Sequence, residues 1–168
     1  ENDFVAKTPY RYALQKVYIS FAPGRNIHPG DIVIFYRNGV PGNAGYTAVL
    51  TSVAIVEEAT SDFRSKEEYM RHVQNRSVFT NDELEQFWRK YRCNQIVLKF
   101  IFVKSLIKRP ILKFLWDTDI IAFPGGPRPF TRITDEQFNM ILNVAQTDLS
   151  RYWRLFFGVD IVINKSGI

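Results

Sequence analysis

Cysteine is nearly absent: Cys93 stands alone in 168 residues. One thiol closes no internal disulfide, and no secretory leader is read at the N-terminus. The expected setting is therefore a reducing cytoplasm. Histidine is as scarce, at positions 28 and 72 only. Two His and one Cys fall short of a structural zinc set, so no metal is expected. Gly24, Gly30 and Gly39 lack the spacing of a phosphate-binding loop, and no cofactor is expected either. No apolar run reaches the ~18 residues a membrane-crossing helix requires. Nucleophilic catalysis also lacks an evident centre. Cys93 follows an aromatic helix and reads as a packing residue, although Arg89, Lys90 and Arg92 could lower its pKa. His28 beside Pro29 reads as a turn residue. No catalytic residue is assigned, and a non-catalytic role is expected.

The chain is rich in rings and in positive charge. Aromatic residues make up 15%, with 14 Phe, 8 Tyr and 3 Trp. A Phe-rich core accounts for most of them, and a few are candidates to line a binding surface. The formal net charge is +5 and the sequence pI is about 9.4. A basic balance suits a polyanion, nucleic acid above all. A chain of this length buries about 70% of its unfolded surface and needs no covalent staple. It opens on Glu1 rather than Met, the pattern of a domain cut from a larger protein, so a neighbouring domain is a second expected partner.

Residues 1–14 read as a lead-in or linker. Gln15 to Phe21 alternates as a strand, with Val17, Ile19 and Phe21 on one face. Pro29-Gly30-Asp31 is a turn that delivers the chain into Asp31–Tyr36, an apolar strand buried on both faces. Tyr46–Glu57 reads as a long β-branched strand whose length invites a bulge or bend, as barrel closure needs. Three helix starts follow, each a hydroxyl residue with Glu or Gln three positions on: Ser65/Glu68, Thr80/Glu83 and Thr134/Gln137. Between them lie a strand over Gln95–Val103, a short helix after Pro110, and a candidate strand at Ile120–Phe123. The order predicts an α+β fold: a mixed β-barrel of five to six strands with inserted helices. Residues 149–168 read as a C-terminal extension that adds an edge strand, a packing element or a docking segment.

Pro29-Gly30-Asp31-Ile32-Val33-Ile34-Phe35-Tyr36-Arg37 and Thr51-Ser52-Val53-Ala54-Ile55-Val56-Glu57-Glu58 resemble the PUA-like superfamily, nearest its EVE and ASCH branches and more distantly the YTH readers. Arg76–Thr80, Glu83–Trp88 and Pro127–Ile133 are similar to the variant found with prokaryotic acetyltransferase (GNAT) or PIN domains. The resemblance covers roughly residues 15–145 and implies a domain over 15–148. It implies a pseudobarrel whose cleft takes RNA or DNA, often at a modified base held by rings. The ASCH signature Gly-x-Lys-x-x-Glu-x-Arg is absent from this chain.

Candidate contacts follow from residue type and position. Tyr36 and Arg37 end the central strand, and Tyr46 opens the strand expected to pair with it. Arg25 and Asn26 occupy an adjacent loop, where a guanidinium suits phosphate. Arg128 and Arg132 flank a rigid Pro-rich turn that would preorganise them. Trp88 and Trp116 are candidate pocket rings, although their apolar helical faces are what core packing produces. Lys104, Lys108, Arg109 and Lys113 form a basic run that a solvated face explains equally well. Two further readings stay open. One is a regulatory protein-interaction domain within a toxin-like or acetyltransferase protein. The other is an ASCH-type amidohydrolase acting on modified nucleosides, with Lys16, Thr51 and Glu57 as its trio.

Overall fold

At the Pro29–Gly30 turn, Gly30 adopts φ 97°, a conformation that a side chain would strain. The chain then enters β2 (Ile32–Arg37), the most deeply buried strand, with Ile32, Val33 and Ile34 fully covered. The computed structural model describes residues 15–21, 26–74, 77–92, 94–155 and 160–165. Beside β2 the strands are β1 (Gln15–Ser20), β3 (Val49–Thr60), β4 (Ile96–Ser105), β5 (Thr131–Ile133) and β6 (Ile161–Lys165). The helices are α1 (Ala44–Thr47), α2 (Lys66–Val73), α3 (Asn81–Tyr91), α4 (Leu112–Asp117) and α5 (Asp135–Val144). A 3-10 turn spans Ser150–Leu155.

The α+β class stands. The barrel does not appear: the six strands form a mixed sheet in the order β1-β4-β3-β2-β6-β5, open at β1 and at β5. The short β5 ends the ladder at one side, so the described strands do not close.

Chain packing separates two compact units, one of residues 1–29 and 56–102, the other of 30–55 and 103–168. In the first, β1 runs antiparallel to β4, from Gln15 opposite Ile101 to Ser20 opposite Ile96. Its core joins Val17, Ile19 and Val97 to Tyr69, Val73 and Leu84 of α2 and α3, ringed by Phe21, Phe63, Phe79, Phe87 and Trp88. Both helices start at their expected caps. Ser65 accepts from Glu68 N–H at 3.2 Å, and Thr80 with Glu83 forms a reciprocal box. The Glu68 carboxylate turns instead to the Arg64 N–H, at 2.8 Å.

In the second unit, β2 pairs antiparallel with β3 and parallel with β6, and β6 pairs antiparallel with β5. Phe35 faces Ser52 while Tyr36 faces Leu50, which leaves Thr51 as the extra residue of a bulge. The long strand thus carries its expected irregularity, and Thr51 closes it by donating to the Phe35 carbonyl at 3.3 Å. Past the bulge the inward parity of β3 changes from Ala48 and Leu50 to Val53. Leu112, Leu115, Phe138, Ile141, Ile161 and Ile163 complete this core. The helix α5 opens on the expected Thr134/Gln137 box.

Three expectations change here. Tyr46 does not open a strand: Thr47 N–H and Oγ1–H both bond the Asn43 carbonyl, winding 44–47 into one helical turn. The strand then begins at Val49. Ile120–Phe123 forms no strand; Ile120 and Ile121 are buried in a turn and Phe123 faces solvent. The strand near residue 160 is no edge: β6 lies between β2 and β5, with Ile161–Asn164 buried. Asp31 helps to place it, accepting from Asp160 N–H at 3.4 Å, while the Ile32 N–H bonds the Asp160 carbonyl at 2.9 Å. No described helix is long and apolar enough to cross a membrane.

Candidate nucleic-acid interface

The second unit collects a group of rings around Trp116. This residue lies in the last turn of α4, and its half-buried indole covers Gly45 of α1 so closely that a Cβ there would lie 2.8 Å from Cζ3. The indole N–H donates to the Gly125 carbonyl at 2.7 Å, which fixes the ring against the 122–125 turn. That turn is closed by Gly125 N–H to the Ala122 carbonyl at 2.8 Å. Phe123 meets Trp116 edge to face, with centroids 5.0 Å apart at 85°. Tyr46 follows Gly45 on α1. Among the aromatic residues whose side chains are described, only these two are exposed, Phe123 at 74% and Tyr46 at 64%.

Charge accompanies the rings. Arg37 at the end of β2 and Arg128 after the Pro-rich turn are both exposed. The Arg128 backbone is clamped by Thr131, whose Oγ1 accepts from its N–H and donates to its carbonyl, each at 2.9 Å. The clamp fixes the Arg128 backbone and leaves the side chain outside. No described carboxylate pairs with Arg37 or Arg128. Lys113 is held by Asp117 at 2.8 Å, which keeps its ammonium above the usual lysine range.

The other predicted residues divide. Tyr36 is a core residue, 3% exposed, its phenol pushed up by burial. Its hydroxyl stands 3.7 Å from where a Cβ on Gly126 would be, so it underlies this surface rather than walling it. Arg132 is tied to Asp160 in an ion pair. Trp88 belongs to the first unit's core, tilted against Tyr69 at 5.4 Å, with Arg92 over its ring at 5.7 Å. Asn26 is exposed in the first unit. Arg25 and Cys93 lie outside the described residues. A cavity of about 430 Å³ runs along α5, lined by Phe138, Leu142, Leu149 and polar neighbours; none of the predicted residues lines it.

The trio Lys16, Thr51 and Glu57 rested on an alternation that the bulge at Thr51 breaks, and Thr51 donates to the Phe35 carbonyl. A different set meets in the first unit. The Glu58 carboxylate takes Lys99 on Oε2, and on Oε1 it takes Thr60 Oγ1–H and His72 Nε2, each at 3.0 Å. Burial pushes the Glu58 carboxyl up. The hydrogen bonds from Lys99 and Thr60, with the charges of Lys99 and His72, outweigh it and hold the group below the ordinary range. His72 Nδ1 faces the Glu68 carbonyl at 2.9 Å.

The exposure of Phe123 and the partners gathered on Glu58 are not legible in the sequence. Phe123 ends an apolar run that imitates a strand, and only the Pro-Gly-Gly-Pro that follows signals a ring left on a turn. Lys99 is 41 positions from Glu58, a pairing that only the ladder between distant strands creates.

No protein-family model, curated protein or solved structure matches this chain.

Proposed function

We propose that the chain is a nucleic-acid-binding module of PUA-like type that acts without catalysis. One observation carries the reading: the exposed rings Tyr46 and Phe123 share one unit with the exposed Arg37 and Arg128, which have no partner among the described carboxylates. Rings offer base faces a stacking surface, and guanidinium forks suit phosphate. The net charge of +5 draws a polyanion from a distance. The Pro-Gly-Asp entry into β2 and the Val-Glu-Glu within β3 supply the family part of the proposal. A filter-binding salt titration tests it. Log affinity for an oligonucleotide should fall linearly with log salt, and Arg37→Ala with Arg128→Ala should flatten the slope by about 1.4 for a single strand. Affinity that ignores salt sinks the reading.

A second reading rests on the Glu58 group. Lys99, Thr60 and Glu58 are the residue types that the amidohydrolase alternative needs, held around one carboxylate. A Thr hydroxyl hydrogen-bonded to a carboxylate is a nucleophile beside its base. Incubation with an N-acylated cytidine decides it: acid release that disappears in Glu58→Gln supports hydrolysis, and no release removes it.

A further inference from the structure

Duplex and unpaired strands offer a protein different things. In a duplex the base faces are already stacked, leaving groove edges and phosphates for recognition. An unpaired strand also offers the faces, which gain by stacking on a ring of any sequence context. A single recognised base can instead be enclosed in a pocket, which requires rings covered by the surrounding protein.

Phe123 and Tyr46 are arranged for the open kind of contact. At 74% and 64% exposure neither ring is a wall of an enclosed cage. Neither hangs on a loose segment. Phe123 and Trp116 meet at 85°, one ring's edge against the other, and the backbone beside Tyr46 is set against the same indole through Gly45. The indole is itself pinned by its N–H to the Gly125 carbonyl. Trp116 thus braces the Phe123 ring directly and the backbone next to Tyr46 through Gly45, and little ordering of these segments remains to be done when a base arrives. Lys113 is paired with Asp117, whereas Arg37 and Arg128 are exposed cations with no described carboxylate partner, available to meet phosphates.

We infer that this surface takes an unpaired strand, stacking successive bases on Phe123 and Tyr46 without enclosing any one of them; the inference rests on the nucleic-acid reading above. An acidic peptide would satisfy the arginines but gives exposed ring faces no matching planes, so nucleic acid is the better complement.

Fluorescence anisotropy on the full chain tests this with labelled probes about 12 nucleotides long, within the range such surfaces cover. The probes are oligo-dT, oligo-rU and a duplex of equal length, at low salt. The unpaired probes should bind at least about tenfold tighter than the duplex. Phe123→Ala should weaken them about 5- to 150-fold with the salt slope unchanged, since a stacked ring contributes about 1–3 kcal/mol per base. Phe123→Tyr should restore binding, and circular dichroism of each variant reports the fold. A modified base placed in the probe should change affinity little. If the duplex binds as tightly, or if Phe123→Ala and Tyr46→Ala change nothing while the arginine pair still matters, the stacking inference fails and the nucleic-acid reading survives. If no probe binds, the underlying reading fails. A dimer in sedimentation velocity that Phe123→Ala dissolves would overturn both, because the rings would then be a self-contact.

Discussion

Tyr69 carries a hydroxyl with no partner in a fully covered site, and its removal should leave the protein as stable or more so. The ring lies among Phe63, at 5.4 Å and 80°, and Trp88, at 5.4 Å and 30°. Tyr69→Phe keeps both contacts and deletes only the oxygen. A buried unpaired polar group costs about 1–3 kcal/mol, so the variant should gain up to that amount near pH 8. A hydrogen-bonded tyrosine would instead lose about 1 kcal/mol. Alkaline pH supplies an independent arm. Burial pushes the Tyr69 phenol up to about 12, against about 10 in the unfolded chain. Below pH 10 both states hold the proton and the full stability is present. As pH rises from 10 toward 12 the unfolded state releases it while the folded state keeps it, so stability is lost. At pH 11 the loss is about 1.4 kcal/mol, and it is absent in the variant. Urea denaturation of both chains at pH 8 and pH 11 reads the difference directly, because the other tyrosines cancel. A variant less stable at pH 8 would mean that the hydroxyl has a partner. An unchanged difference between the two pH values would mean that Tyr69 titrates as an exposed phenol does.

Asn164 of β6 is fully buried with both side-chain polar atoms unpartnered; Asn164→Leu should raise the urea midpoint by the equivalent of about 1–3 kcal/mol, and a drop would reveal a bound water or an overlooked partner. Gly45→Ala puts a methyl 2.8 Å from the Trp116 ring, so overpacking should cost about 1–3 kcal/mol and alter the near-ultraviolet tryptophan signal; an unchanged spectrum would show that the indole moves freely. Glu58 has its carboxyl held low, so its contribution is present above the unfolded value near 4.5 and is lost as pH falls through the folded one. Glu58→Gln should therefore flatten the acid limb of the stability profile, and an acid limb parallel to the wild type would refute the network's role.

How far the sequence foretells this structure depends on the range over which each feature is decided. Ser65, Thr80 and Thr134 mark helix starts because a cap involves residues only three apart. β2 is legible for a similar reason, since a glycine turn and an apolar run identify a buried strand locally. The bulge was foreseeable from the length of the strand, but not its position at Thr51, which depends on the partner strand. The segment Tyr46–Thr47 illustrates a local pattern overruled. Its residues favour strand, yet Thr47 finds both Asn43 and the Val40 N–H within reach and folds back on them. The place of β6 was invisible, because its parallel partner β2 stands more than a hundred residues earlier.

The rings show the same division at the candidate site. Trp88 and Trp116 sit on comparable apolar helical faces, and nothing in their own segments separates them. Their surroundings do. Trp88 lies among the rings of the first unit's core. Trp116 meets a glycine on one side and a carbonyl that takes its N–H, so the indole can stand near the surface without an orphaned donor. The high aromatic content is consequently a poor guide to function, because the first unit's core absorbs Phe21, Phe63, Tyr69, Phe79, Phe87 and Trp88. What distinguishes Tyr46 and Phe123 is that they stay exposed on segments held against the fixed Trp116 indole. A buried ring is stabilised by its packing. An exposed ring lacks most of that stabilisation, and a stacked base would restore it.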